Sequence, residues 1–346
     1  DEECVRLFNL FKEITLKEVS KIYDELDIKF DSYAGESFYN DKMQPVIDEL
    51  KEKGLLTLSE GAQIVDLEKY GMPPCIILRS DGASLYATRD LAAACYRKEH
   101  YNFDKCLYVV AYQHNHHFRQ IFKVLELMGK PWAKDLIHVA YGMVSLLDEN
   151  GNQVAMSTRN GTVVLLEDVL KKCHEKCLEI IEQKNPELED KENIARQVGT
   201  GAVVFGALSN SKIKDIAFSY SKILNFDGET GPYVQYTAAR IKSVLRKGGK
   251  GGSYEIKEIN EDEYKLVSLL STFPDVVKAA AEKLEPFFIT RYAIDVASAF
   301  NKFSFDHKII GEDENTTNFR LAICSSALTV ITSALTLLGI KVPERM

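Results

Sequence analysis

The sequence predicts an α/β domain built on parallel strands, followed by an all-helical bundle, and three observations carry that expectation. Between Asp90 and Gln183 short apolar strands alternate with amphipathic helices through short links, which is the pattern of βα units. Leu107-Tyr108-Val109-Val110 is continuously apolar, as a parallel strand covered on both faces must be. From Pro232 onward no strand period survives, and the apolar residues step by three and four, as on one face of a helix.

The elements follow in order. Residues 3–26 read as a helix whose Val5, Phe8, Phe11, Val19 and Ile22 form one buried stripe. A polar segment from Asp31 to Asp41 precedes a helix over Met43–Lys53, which Gly54 ends. Cys75–Arg79 and Leu85–Thr88 flank Ser80-Asp81-Gly82 and read as a hairpin. Then come a helix from about Asp90 to Arg97, a strand Cys106–Tyr112, and a helix His116–Met128 stopped by Gly129. A strand Leu136–Leu147 and a helix Leu166–Gln183 complete the alternation. The pattern breaks at Asn225-Phe226-Asp227-Gly228. Beyond it, Pro286 opens a helix with Phe288, Tyr292, Val296, Ala299 and Phe303 on one stripe. Leu321, Cys324, Leu328, Ile331, Leu335 and Leu338 mark a last helix, which Gly339 stops. Gly248-Gly249-Lys250-Gly251-Gly252 reads as a flexible loop.

Composition narrows the function classes. At 346 residues the chain can hold two domains with real cores, and its formal net charge is −8. Any nucleic acid must therefore meet a local basic face. The seven cysteines are scattered and odd in number, and they read as reduced packing residues of a cytoplasmic protein. Cys173 and Cys177 lie one helical turn apart, but no second ligand pair follows at zinc spacing. No apolar run is long enough to suggest a membrane span.

Three polar clusters fall where open parallel sheets hold ligands, beyond the carboxyl ends of strands or at helix starts. After Tyr112 stands Gln113-His114-Asn115-His116-His117, which is either a polar helix start or, without a carboxylate or cysteine to complete a set, a weak metal candidate. Ala155-Met156-Ser157-Thr158-Arg159-Asn160-Gly161 offers hydroxyls, backbone N–H groups and one guanidinium to a polyphosphate. In Tyr86-Ala87-Thr88-Arg89-Asp90, the aspartate suits a helix N-cap as well as a ligand contact. Tyr233, Tyr236, Arg240 and Lys247 share one helical face beside Lys242, Arg246 and Lys250. Aromatic rings there would stack on unpaired bases while cations meet phosphates, or the tyrosines would pack inward instead.

Taken together, six motifs in order resemble arginyl-tRNA synthetase: Gly-Glu-Ser at 35–37, Leu-Tyr-Ala-Thr-Arg-Asp at 85–90, Phe-Asp-Lys at 103–105, Met-Ser-Thr-Arg-Asn-Gly at 156–161, Phe-Asp-Gly-Glu-Thr-Gly-Pro-Tyr-Val-Gln-Tyr at 226–236 and Pro-Glu-Arg-Met at 343–346. The resemblance implies the second half of a class I synthetase Rossmann-type fold in residues 1–225, with a connective insertion at about 27–84, and an all-α anticodon-binding domain over 226–346. It implies arginine binding by Glu36, Tyr86, Asp90, Gln113 and His114, the last standing where the family usually has Gln. It implies ATP binding by His117, Met156, Ser157, Thr158 and Arg159, and tRNA binding by Tyr233, Tyr236, Arg240 and Lys247. ATP with Mg2+, L-arginine and tRNA(Arg) are the implied ligands of a cytoplasmic monomer that holds no metal of its own and meets no membrane.

Two departures qualify it. The class I phosphate loop usually carries two lysines, and Ala155 and Thr158 stand there instead. None of the seven histidines (100, 114, 116, 117, 138, 174, 307) forms the His-x-Gly-His-like motif that holds ATP's phosphates in class I enzymes. The sequence therefore reads as a C-terminal fragment lacking the N-terminal domain and that half-site, and as inactive alone. A module that only binds arginine and the anticodon arm is the second reading. A cysteinyl-type synthetase would need thiol-selecting zinc ligands, which the sequence does not offer.

Overall fold

The computed structural model describes residues 1–147, 153–154, 164–249, 251–256 and 258–346. They divide into two compact units, one of Phe30–Met143 and one of Asp1–Lys29 with Val144–Met346. Helix α1 (Glu2–Glu25) opens the second of these, capped by the Asp1 carboxylate, which accepts from the Glu3 N–H at 2.9 Å. The expected buried stripe is not found. No residue of α1 is buried, and Val5, Phe8 and Phe11 are 59%, 51% and 62% exposed. Only its last turn is seated, with Ile22 and Leu26 against a core cluster. Apolar period revealed the helix but not whether anything covers it.

In the Phe30–Met143 unit, α2 (Met43–Glu52) is followed by a meander of β1 (Leu56–Ser59), β2 (Ala62–Val65) and β3 (Cys75–Leu78), all antiparallel. Next come α3 (Tyr86–Tyr101), β4 (Cys106–Ala111), α4 (Asn115–Leu127) and β5 (Leu136–Tyr141). The turn at Ser80-Asp81-Gly82 exists, with Gly82 at φ +78°. The strand expected after it does not. Pairing stops at a Leu78–Ser84 bridge, and Tyr86 already begins α3. Ala87 and Ala92–Ala94 favour the helix, and buried Thr88 ties its first turn to β3 by donating to the Ile77 carbonyl at 2.5 Å.

β4 and β5 pair in parallel from Cys106↔Leu136 to Ala111↔Tyr141. One face of the pair is covered, by Phe118 and its neighbours on α4. The other is open along β4, where Leu107 and Val109 point away from buried Tyr108 and are 43% and 65% exposed, whereas Val139, the partner of Val109 on β5, is buried. The expectation of two covered faces fails on β4 among the described residues, and holds at Val139 on β5. Helix α4 ends as foreseen at Gly129, φ +75°, and Lys53 donates to the orphan Met128 carbonyl at 2.6 Å.

The expected single strand 136–147 is two strands. β6 (Val144–Leu147) belongs to the other unit, where it pairs antiparallel with β7 (Gln153–Val154) and parallel with β8 (Ile216–Phe218). α5 (Leu166–Lys184) and α6 (Lys191–Leu208) pack around Cys173, Cys177 and Val198. Burial pushes both of those thiols up to about 12, so they stay protonated packing groups. The short α7 (Tyr220–Ile223) leads to α8 (Gly231–Gly248), α9 (Glu261–Ser271), α10 (Phe273–Lys283), α11 (Phe287–Asp306) and α12 (Glu314–Leu337). These last five share one core around Phe300, Phe303, Cys324 and Ile331. By length and composition α12 could cross a membrane; here it contributes Leu321, Cys324, Ala327, Ile331 and Leu335 to the bundle core.

At the α6–α8 crossing the helices nearly touch. A Cβ on Gly201 would lie 2.7 Å from Gln235 Nε2, and one on Gly231 would lie 2.9 Å from Phe205 Cβ and 3.0 Å from the Gly201 carbonyl oxygen. Gln235, fully buried, donates to the carbonyls of Gln197 and Lys341 and so pins the C-terminal segment to both helices.

Bundle stability has one polar keystone. Glu263, 4% exposed, closes a capping box with Asn260 and accepts from Arg320 Nε at 2.8 Å. Arg320 also donates to the Lys308 carbonyl. Glu263→Ala removes the glutamate half of the capping box and takes the carboxylate from the largely buried Arg320 guanidinium, so a loss of about 3–5 kcal/mol is expected. Urea unfolding of this variant beside Glu263→Gln, which keeps an acceptor, checks it. Two equal midpoints would show that the ion pair carries no weight.

Candidate functional site

Residues expected to read a guanidinium gather at the carboxyl end of β4 and the first turns of α3. Asp90 is the fifth residue of α3, whose N-cap is Leu85 with no side-chain cap. The helix-cap account of Asp90 is thereby removed. Its carboxylate is about one-third exposed and meets His117 Nε2 at 2.6 Å, whereas the His117 side chain is 8% exposed. Tyr86, one turn before Asp90, is exposed and sets its ring 4.5 Å from the His117 ring. Thus Tyr86, Asp90 and His117 form one contiguous group across α3 and α4.

Gln113 and His114 occupy a 3-10 turn, Tyr112–His114, directly after β4, and both are exposed. His114 is the N-cap residue of α4 without a side-chain cap bond, which leaves its ring available. His117 lies one turn further along. Glu36 is placed differently: its carboxylate accepts from Arg89 Nη1 at 2.7 Å, while Arg89 Nε donates to Asn40. Glu36 already holds a guanidinium, that of the chain's own arginine. Sequence reasoning missed Arg89 and Asn40, since nothing local links positions so far apart.

Met156, Ser157, Thr158 and Arg159, the residues expected on ATP's phosphates, lie outside the described residues, as does Lys250.

On α8 the four residues expected to meet RNA separate. Tyr236, Arg240 and Lys247 line a recess of about 590 Å3 with Ser243, Arg246 and Arg345. Glu187 and Glu189 also face it. Tyr233 turns the other way, half-buried in the bundle, where its hydroxyl accepts from Asn301 Nδ2 at 3.0 Å. An offset of three residues leaves two helical side chains about 60° apart, which is enough to put one inside and the other outside the edge of a buried face. Arg246 and Lys242 hold the C-terminal segment: Lys242 Nζ meets the Glu344 carboxylate at 2.6 Å and Arg246 donates to the Glu344 carbonyl. That segment brings Arg345 and Met346 to the recess rim. The sequence face of Tyr233, Tyr236, Arg240 and Lys247 thus supplies three residues of the recess; Ser243 on the same helix and Arg345, from the distant end of the chain, were not foreseen.

Comparison with known proteins identifies the two parts of the chain that hold these regions. Residues 1–220 match the family described as tRNA synthetases class I (R), catalytic domain, and residues 234–346 match the DALR anticodon binding domain. The chain is 51% identical over 349 residues to an arginine-tRNA ligase of Clostridium beijerinckii and 52% identical over 353 residues to that of Halothermothrix orenii. In each case the alignment covers the whole of this chain and 61% of the relative, so the chain spans about three-fifths of their length. The Thermus thermophilus arginyl-tRNA synthetase structure superposes with a TM-score of 0.89 at 25% identity, covering 98% of this chain and 64% of that one.

Proposed function

The chain belongs to the class I arginyl-tRNA synthetase family, and from that membership we propose that it carries the arginine-reading and anticodon-reading regions of an enzyme that joins arginine to tRNA(Arg) with ATP. The observation that supports this most is Asp90: a part-exposed carboxylate on α3, flanked by an exposed tyrosine and braced by a buried imidazole. A planar cation needs a carboxylate whose plane is set beforehand. Asp90 and Tyr86 take the guanidinium, with Glu36 becoming available where Arg89 yields it. Gln113 and His114, at the end of β4, orient the amino and carboxyl groups of the substrate.

In the activity so proposed, the arginine carboxylate attacks the α-phosphorus of ATP and pyrophosphate leaves, giving arginyl-adenylate. A ribose hydroxyl of the terminal tRNA adenosine then attacks the acyl carbon, and AMP leaves. Positioning and charge stabilisation carry most of both steps. ATP would enter with Mg2+ on its phosphates; Met156, Ser157, Thr158, Arg159 and His117 are assigned to the nucleotide by resemblance alone. The same reading divides the chain into a catalytic region, residues 1–225 with its insertion at about 27–84, and an anticodon-binding region, residues 226–346. It makes the enzyme a cytoplasmic monomer.

The Tyr236–Arg240–Lys247 recess tests the RNA half. An anticodon stem-loop titrated at several salt concentrations should bind with a slope that falls by roughly one unit or less for each phosphate contact removed. Arg240→Ala with Lys247→Ala should flatten it, and Tyr236→Ala should cost about 1–3 kcal/mol with the slope kept. Tyr233→Phe, away from the recess, should change neither. If the double variant binds with an unaltered slope while its circular dichroism is intact, the RNA lies elsewhere.

A further inference from the structure

We propose that His117 is the positioning residue of the guanidinium-reading carboxylate, its contribution being the Nε2–H that fixes the plane of Asp90; this rests on the reading of Asp90 given above. The geometry is local and complete. α3 supplies Asp90 and α4 supplies His117, and their 2.6 Å contact is a polar bond between these two helices. The His117 side chain is 8% exposed, with its ring centroid 4.5 Å from that of Tyr86 and 5.2 Å from that of Phe118, so turning it away from Asp90 would disturb those contacts.

An ionised carboxylate only accepts, so the bond requires His117 to donate from Nε2, and a neutral ring then carries its lone pair on Nδ1. Each carboxylate oxygen has two acceptor directions. Oδ2 can therefore hold His117 and still present its second direction beside Oδ1 to an incoming fork. A free aspartate rotates about two bonds; one whose Oδ2 is held from behind offers its remaining acceptors in one plane. Two parallel N–H···O bonds need that plane. The neighbouring cation, Arg89, is engaged by Glu36 and Asn40, so in this arrangement it does not compete for Asp90. A histidine that served only as filler would need no donor at that atom.

The test uses the 346-residue chain and two ligands of the same shape, L-arginine and neutral L-citrulline, with affinities read by calorimetry and competition. His117→Leu keeps bulk and removes the donor; His117→Gln restores an N–H at similar reach. The Leu variant should bind arginine about tenfold to a hundredfold more weakly with citrulline little changed, and the Gln variant should recover most of the loss. His117→Met, also without a donor, gives the same comparison if Leu disturbs the helix. Equal losses for both ligands, or no recovery with Gln, would reduce His117 to packing and overturn the proposal. Asp90→Asn separates the two claims: if arginine affinity survives that change, the reading of Asp90 itself has failed.

Discussion

Asp90→Asn should weaken arginine binding by about 2–5 kcal/mol, roughly thirtyfold to several thousandfold in affinity, while leaving the fold unchanged. The substitution is nearly isosteric. An asparagine oxygen can still accept from His117 Nε2, so the brace across α3 and α4 survives. In the proposed reading, what disappears is the charge that would meet the guanidinium and one acceptor of the planar pair. Because Leu85, not Asp90, is the N-cap of α3, a lost cap cannot account for a measured effect. Calorimetric titration of the chain with arginine and with citrulline reads the outcome directly. Arginine should lose its advantage over citrulline in the variant. Equal arginine affinities for the two proteins would mean that another group reads the cation, with Glu36 the first candidate once Arg89 is released.

The second large effect concerns chemistry. With arginine, ATP and Mg2+, the 346-residue chain should show no arginine-dependent pyrophosphate exchange above background. Class I activation needs hydrogen-bond donors on ATP's phosphates, and no His-x-Gly-His-like motif is present in the sequence. Removing even one preorganised donor from a developing charge costs about 3 kcal/mol, or roughly a hundredfold to a thousandfold in rate. Supplying the two-fifths of a relative that the alignment leaves uncovered, joined to the chain, should restore exchange, and Asp90→Asn in that protein should then raise the arginine KM far more than the ATP KM. Exchange by the chain alone at the rate of intact relatives would show that the residues present are a sufficient cradle.

Much of the architecture is legible in the sequence alone. α4 and its stop at Gly129, β4, α5, α11 and α12 follow from apolar period and from glycines that must adopt positive φ. The misreadings share a cause: pattern reports a residue's surroundings only through its own chemistry. Leu136–Leu147 is one apolar run interrupted by Gly142, and nothing in it says that Val144 begins a strand in another unit. Leu85–Thr88 followed a real turn and looked like a return strand, yet the alanines after it made a helix the better use of the same residues. On α1 and β4 the apolar faces were read correctly as faces; that Phe11 and Val109 stand exposed depends on what packs there, which no local period encodes. For the site, Tyr86 and Asp90 were found through a motif. The bond from Asp90 to His117 spans 27 positions and belongs to tertiary structure alone.

The Gly201–Gly231 crossing has a mechanical meaning. Most helix pairs are separated by side chains that act as springs, shifting rotamers when one helix is pushed. Here α6 and α8 meet backbone to backbone, and Gln235 is bolted to the Gln197 and Lys341 carbonyls beside the contact. Little compliance is left in the joint. Rotamer repacking at Gly201 and Gly231 is therefore not open to this joint as a way of absorbing a shift of α8 against α6. The segment matched as catalytic and the segment matched as anticodon-binding are joined here by a stiff coupling.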